Sequence, residues 1–359
     1  MSVSSFLIEA VFAILFCATL ITYLRRRDPL SRDVMLIFAC LAVLLGVVSV
    51  SAIAGQLPDP VLGATIALLL AQPLFTLRLA HQLRPVARPI WIAALLGYGI
   101  TALPLVALPL DGISVLIIAG VVVFVVTDLV AATYLAVEAR ARVGSARVRL
   151  GSAAAASASL ALSLGVLIIG SGVPLVSEAG RLLALAAALL YTLAFLPPAW
   201  LRRLWNALAT YDFTDRLMDA PPNEQAQAVW ARGAELARRM TGATAVMVLA
   251  DDPPRVIGAS GGTSTAEDSV PLTSLPPARD DQRRVTKADG DLWSLADAQA
   301  TPYASVLEIA APAAAGVKVV VLRARPSLFA ADDHLMVRSL VGRAAVFADR
   351  SQALAEQAA

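Results

Sequence analysis

The sequence predicts two units in series. The first is a membrane all-α bundle of seven helices. The second is a soluble α+β domain built on an antiparallel sheet and flanked by coiled-coil helices. Three observations predict this. Residues 1–201 contain seven apolar runs of about 20 residues or more, the length a helix needs to cross a bilayer. The basic residues of the connections fall on alternate loops. Beyond residue 222 the pattern changes to short apolar strands between two amphipathic helices. The implied segments are 1–201, a juxtamembrane helix over 202–222, the domain over 223–336 and an outgoing helix over 337–359.

Composition agrees with this division. Of 359 residues, 58% are hydrophobic and 16% are charged, which is too apolar for an ordinary soluble protein. Residues 1–212 hold 14 Lys and Arg against 9 Asp and Glu, whereas residues 213–359 hold 15 against 18. A mildly acidic soluble half lacks the basic footprint of a nucleic-acid binder. The two cysteines, Cys17 and Cys40, lie in apolar runs and form neither a CxxC motif nor a disulfide framework. The N-terminus has no basic region ahead of its apolar run and carries Glu9, so it is not expected to be a cleaved leader.

The helices are expected over 3–24, 34–54, 61–83, 89–110, 112–137, 148–170 and 178–201. Arg25, Arg26, Arg27 and Arg32 occupy the first connection, and Arg84 and Arg88 the third. Arg140, Arg142, Arg147 and Arg149 occupy the fifth, and Arg202 and Arg203 follow the seventh helix. The second, fourth and sixth connections hold no Lys or Arg. The positive-inside rule therefore predicts an outer N-terminus and a cytoplasmic C-terminus in a multi-pass protein of the plasma (bacterial inner) membrane. The outer connections are short, so any stimulus is expected to be read within the bilayer or at its outer face. Ser152, Ala156, Ser159 and Ser163 place small residues on one stripe of the sixth helix, a pattern that permits close packing.

Ionisable groups at membrane depth are expensive and are candidate functional residues. Asp128 falls about 5 Å inside the midplane and Arg78 about 9 Å, at 1.5 Å per residue, so depth alone allows an Arg78–Asp128 pair. His81 lies near Arg78, with Gln72 and Thr76 further in on the same polar stripe. The other reading has Arg78 and His81 snorkel to the inner surface. Glu9 and Arg181 form a second candidate pair, of structural role. Two functions are excluded. A retinal protein needs an intramembrane lysine, and Lys287 and Lys318 both lie in the soluble half. A bis-histidine haem site needs two intramembrane histidines, and His81 stands alone there. No cofactor and no metal is expected. A small-molecule transporter stays open, although no inverted repeat is visible.

After the seventh helix, Leu201, Leu204, Leu208, Tyr211, Asp215 and Met218 recur at alternating spacings of three and four. That is the seam of a short coiled coil, and the same residues also suit an amphipathic helix on the membrane surface. Asn223 is placed to cap a helix whose apolar face runs from Ala226 to Met240. Strands follow over 244–250 and 255–260, then a polar segment over 261–302, then strands over 305–312 and 317–324. A helix begins near Ala331. Val337, Leu340, Ala344, Phe347, Ser351, Leu354 and Ala358 continue it as a second heptad seam. This seam is expected to lead into a partner or a further part of the protein.

The order of these elements resembles a GAF domain over residues 223–350. The resemblance is carried by the helix ending in Thr241-Gly242-Ala243 ahead of a strand, by the closing strand VVVLRARP, and by FAADDHLMVRSLVGRAAVFADR. It implies either a small-molecule ligand or a dimerising spacer. Trp293 and Tyr303 are the candidate lining residues of such a pocket, and His334 is expected to be exposed. The family's cyclic-nucleotide NKFDE pattern and a bilin-anchoring cysteine are absent. Seven short-looped crossings followed by GAF resemble the sensory half of bacterial sensor histidine kinases. Some diguanylate cyclases carry a similar front end. The resemblance implies a homodimeric membrane sensor, read out by a cytoplasmic kinase or response-regulator partner. No kinase motif is present in the chain. A transporter with a regulatory domain and a tethered dimerising scaffold are the rival readings.

Overall fold

The computed structural model describes residues 3–55, 57–107, 114–142, 144–169, 173–202, 204–205, 207, 211, 226–251, 254–261, 278, 282–309 and 317–358. It divides into two compact units, Met1–Arg140 with Val148–Pro198, and Ala141–Arg147 with Ala199–Ala359.

The first unit is helical. Its helices are α1 (Val3–Arg26), α2 (Pro29–Ala54), α3 (Asp59–Leu83), α4 (Arg88–Ala107), α5 (Ser114–Arg140), α6 (Gly144–Ile169) and α7 (Pro174–Phe195). All seven are long and apolar enough to cross a membrane, which makes this a multi-pass membrane protein. Proline opens α2 and α7 and sits at the second residue of α3, where its missing N–H costs nothing. Asp28 caps α2 by accepting from the Ser31 amide at 2.7 Å. The start of α2 therefore lies five residues earlier than the apolar run alone indicates, which brings Asp33 into the helix.

Neighbouring helices pack in the pairs α1·α2, α2·α3, α3·α4, α3·α5, α4·α5 and α1·α7. Phe12 of α1, Phe38 of α2, and Tyr191 and Phe195 of α7 form an aromatic knot. Phe38 meets Tyr191 edge-on at 5.2 Å and Phe195 at 5.5 Å. Cys17 is exposed and Cys40 is buried, and both are free thiols.

The second unit contains a five-stranded antiparallel sheet in the order β2-β1-β5-β4-β3. The strands are β1 (Ala245–Asp251), β2 (Pro254–Ser260), β3 (Arg283–Arg284), β4 (Tyr303–Ile309) and β5 (Val317–Arg323). Both expected hairpins form, and β1 joins them by pairing with β5, Val246 opposite Val321 and Val248 opposite Val319. Alternate residues cover opposite faces. Val317, Val319 and Val321 pack with Val246, Val248, Leu307 and Ile309 against two helices, α8 (Ala226–Thr241) and α10 (Ala330–Ala358). Gly258 of β2 lets the strand approach α8, because a Cβ there would lie 2.6 Å from the Trp230 carbonyl carbon.

The other face differs from expectation. The segment read as a polar connection holds β3, a 3-10 turn (Lys287–Asp289) and a further helix, α9 (Asp291–Ala298). Leu292, Leu295 and Ala296 of α9 bury against Met247, Leu249, Val306, Val320 and Leu322. A capping box between Thr286 and Asp289 sets up the turn.

The outgoing seam also needs correction. Val337, Leu340 and Ala344 are fully buried in the domain's own core, with Phe347 packed against it. The helix that carries them starts at Ala330, so no boundary falls at residue 337 and these residues are not a free dimer seam. Only the part of α10 beyond Ala348 extends past that core. The side chain of Leu354 lies outside the described residues. In the junction, Leu204 and Tyr211 are exposed and Leu201 is half-buried, whereas Leu208, Asp215 and Met218 lie outside the described residues.

Candidate functional site

The polar residues of the first unit converge along α3. Arg78 does not meet Asp128. Its Nε lies 3.3 Å from Oδ2 of Asp33, which also accepts from Gln82 Nε2 at 2.5 Å. Asp33 is fully buried on α2, and Arg78 remains about half exposed. The pairing follows from the longer α2, which places a carboxylate on the face packed against α3 at the level of Arg78. His81 takes no part in it. Its Nδ1 accepts the Val86 N–H at 3.0 Å, and its ring meets Trp91 edge-on at 5.9 Å. It thus fixes the turn from α3 into α4.

The expected Glu9–Arg181 pair is also replaced. Glu9 accepts from Ser49 Oγ at 2.8 Å, and Arg181 donates to Glu178 at 2.7 Å, one turn away on its own helix.

Asp128 is fully buried on α5, and among the described residues neither of its oxygens has a partner within hydrogen-bond geometry. The Thr76 side chain lies beside it on α3. Thr76 Oγ1 is already engaged: it accepts from Gln72 Nε2 at 3.0 Å and donates to the Gln72 carbonyl at 3.2 Å. Gln72 Oε1 is buried and unpartnered. From α7, Tyr191 lies within electrostatic range of Asp128, and its hydroxyl is held by Ser157 of α6 at 2.9 Å. Sequence reasoning missed Tyr191 and Ser157. Ser157 was hidden in a run of small residues that read as packing, and Tyr191 lay in an otherwise apolar helix. Beside this polar line, an apolar hollow of about 340 Å³ opens between α4 and α5, lined by Ile90, Ala94, Val122, Val126 and Thr127 among others.

In the second unit, Trp293 and Tyr303 do not share a pocket. Trp293, a residue of α9, packs against the core on the α9 face of the sheet. Tyr303 alternates with Ala304, which faces α9, so it points to the α8 and α10 side. Lys287 Nζ stands 5.7 Å from the Trp293 ring centroid. On the α10 side a polar cluster closes the end of the sheet. Arg323 Nη1 and Ser327 Oγ both donate to Asp333 Oδ2 at 2.7 Å, and the Ser327 amide donates to Gln282 Oε1 at 2.8 Å. His334, expected on the surface, is buried, with Nε2 2.9 Å from Ser305 Oγ. The Phe-acidic-acidic pattern signalled a helix start but not that two of its polar residues turn inward.

A second polar group ties α8 to β2. Glu235 binds Arg238, Arg239 and Ser260. The Arg238 hydrogen bonds, helped by Ser260 and Arg239, hold its carboxyl well below the ordinary 4.5, at about 2. A depressed folded-state value means stability that is present above pH 4.5 and lost as pH falls toward 2. Glu235 is about one-third exposed, so we expect Glu235→Gln to cost only about 1 kcal/mol at neutral pH after solvent screening. Hydrogen exchange of β2 in the full-length protein should show this difference shrink steadily as pH falls from 4.5 through 2. A gap that does not shrink over that range would contradict the assignment.

Among the described residues no group of three or more His, Cys, Asp or Glu side chains is placed to hold a metal ion. No family model matches the chain, and no curated protein and no solved structure matches it either.

Proposed function

We propose that this chain is a membrane-embedded signal sensor and transducer, the input half of a two-component-type histidine kinase system. In this reading the seven helices receive the stimulus, with the N-terminus outside and the soluble unit in the cytoplasm. The soluble unit is GAF-like, the protein acts as a homodimer, and a kinase or response-regulator partner supplies the output. The observation that carries the reading is α10. It is a single helix that forms part of the domain core as far as Ala348 and then continues beyond it to Ala358. A rigid element of this kind passes a shift in the core to whatever it contacts.

The test is whether a change confined to the bundle alters hydrogen exchange in α10 of the full-length protein. A transporter is the second reading, favoured by the unpartnered acid within the bundle. Substrate uptake into proteoliposomes, with α10 unresponsive, would establish it instead.

A further inference from the structure

The bundle interior holds a surplus of acceptors. Asp128 Oδ1 and Oδ2 and Gln72 Oε1 are buried, and none has a donor. The groups nearest Asp128 also hold other partners: Thr76 is bonded to Gln72 on its own helix, and Tyr191 to Ser157. The charged groups of the packed helices are engaged elsewhere or lie at the helix ends. On α3, Arg78 is drawn to Asp33 and His81 to the Val86 amide. On α6, Arg149 Nε donates to the Ala194 carbonyl at 2.7 Å. On α7, Arg181 binds Glu178. The ionisable side chains of α4 are Arg88, its first residue, and Tyr98.

Buried acceptor oxygens linked through Thr76, with one negative charge and no donor among the described residues, are the complement of a small monovalent cation. We infer that Asp128 and Gln72, with Thr76 beside them, form an intramembrane site for such a cation. Two sources share this chemistry, a proton on the carboxyl and a sodium-sized metal ion. The cation removes the cost of the uncompensated charge, so its occupancy changes the stability of the α3–α5 contact. The site would exist whether the bundle signals or transports, and its failure leaves the functional proposal standing.

The test measures the unfolding midpoint of the full-length protein in detergent, for wild type and Asp128→Asn. Sodium is titrated against choline at fixed ionic strength, and pH is varied separately without sodium. Wild type should gain roughly 2–4 °C at saturation with one of the two cations. Asp128→Asn should lose that response and sit near the loaded wild-type midpoint. Gln72→Leu separates the sources: it should weaken a sodium response and leave a proton response in place. Infrared difference spectra of wild type, cation-free against loaded, should show a change in a buried carboxyl band, which reports on the site even where the variant fails to fold. Equal responses of wild type and Asp128→Asn to both cations, or no change in a carboxyl band, would overturn the inference.

Discussion

Replacing Asp333 by alanine is expected to destabilise the soluble unit by about 3–5 kcal/mol, because it leaves a buried guanidinium without its counter-charge. Arg323 and Asp333 are each 3% exposed and 2.7 Å apart. Among the described residues Arg323 Nε and Nη2 have no hydrogen-bond partner, so the Nη1 bond to Asp333 carries the compensation. The Ser327 hydroxyl, which also donates to that oxygen, would be orphaned as well. The cost belongs to breaking the pair and not to the pair itself. Converting both residues, Arg323→Met with Asp333→Leu, should therefore recover most of the loss. Hydrogen exchange of β5 and the first half of α10 in the full-length protein measures both variants. Unchanged protection in Asp333→Ala would show that the guanidinium is compensated in some other way.

Gly63→Leu should have the largest effect in the bundle. A Cβ at Gly63 would overlap the Leu105 carbonyl oxygen, so α3 and α4 meet backbone to backbone at this point. Backbone cannot step aside as a flexible side chain can. Helices in a bilayer also gain little from the hydrophobic effect and associate mainly through close packing. The added side chain should cost about 2–3 kcal/mol or more and should open the cluster in which Leu77, Ala94 and Ala131 of α3, α4 and α5 are buried together. Protease resistance of the α3–α4 region in detergent reads this out. A Gly63→Leu variant as resistant as wild type would place the contact elsewhere.

The seven crossings were legible because length and apolarity are properties of each helix alone. The same holds for the hairpins, whose alternating valines declare their faces. Partner choice was not legible. Depth along the membrane normal allowed Arg78 to reach Asp128, but depth says nothing about which helix lies beside which. It also could not reveal that Asp33, one residue before the expected start of the second helix, sits inside α2. The α10 seam misled for a related reason. A heptad pattern reports an apolar stripe, and a stripe buries equally well against the domain's own sheet as against a second chain. The helix α9 was hidden by its polar surroundings, although Leu292, Leu295 and Ala296 carry the three-and-four spacing of a buried face. His334 and Ser305 were invisible as a pair because their contact depends on the β4–β5 register.

The central claim, that a change in the bundle reaches the end of the soluble unit, is tested most directly with Phe38→Ala. Phe38 is fully buried and holds α2 to Tyr191 and Phe195 of α7. Its removal should speed hydrogen exchange in α2 and α7. If the bundle transmits, protection in α10 should change as well. The helical junction expected from the sequence adds a second test: one residue inserted beside Ala209, worth about 100° of phase in such a helix, should abolish that response, and seven should nearly restore it. A variant whose α2 and α7 respond while α10 does not, or two insertions that behave alike, would show that the bundle only tethers the domain.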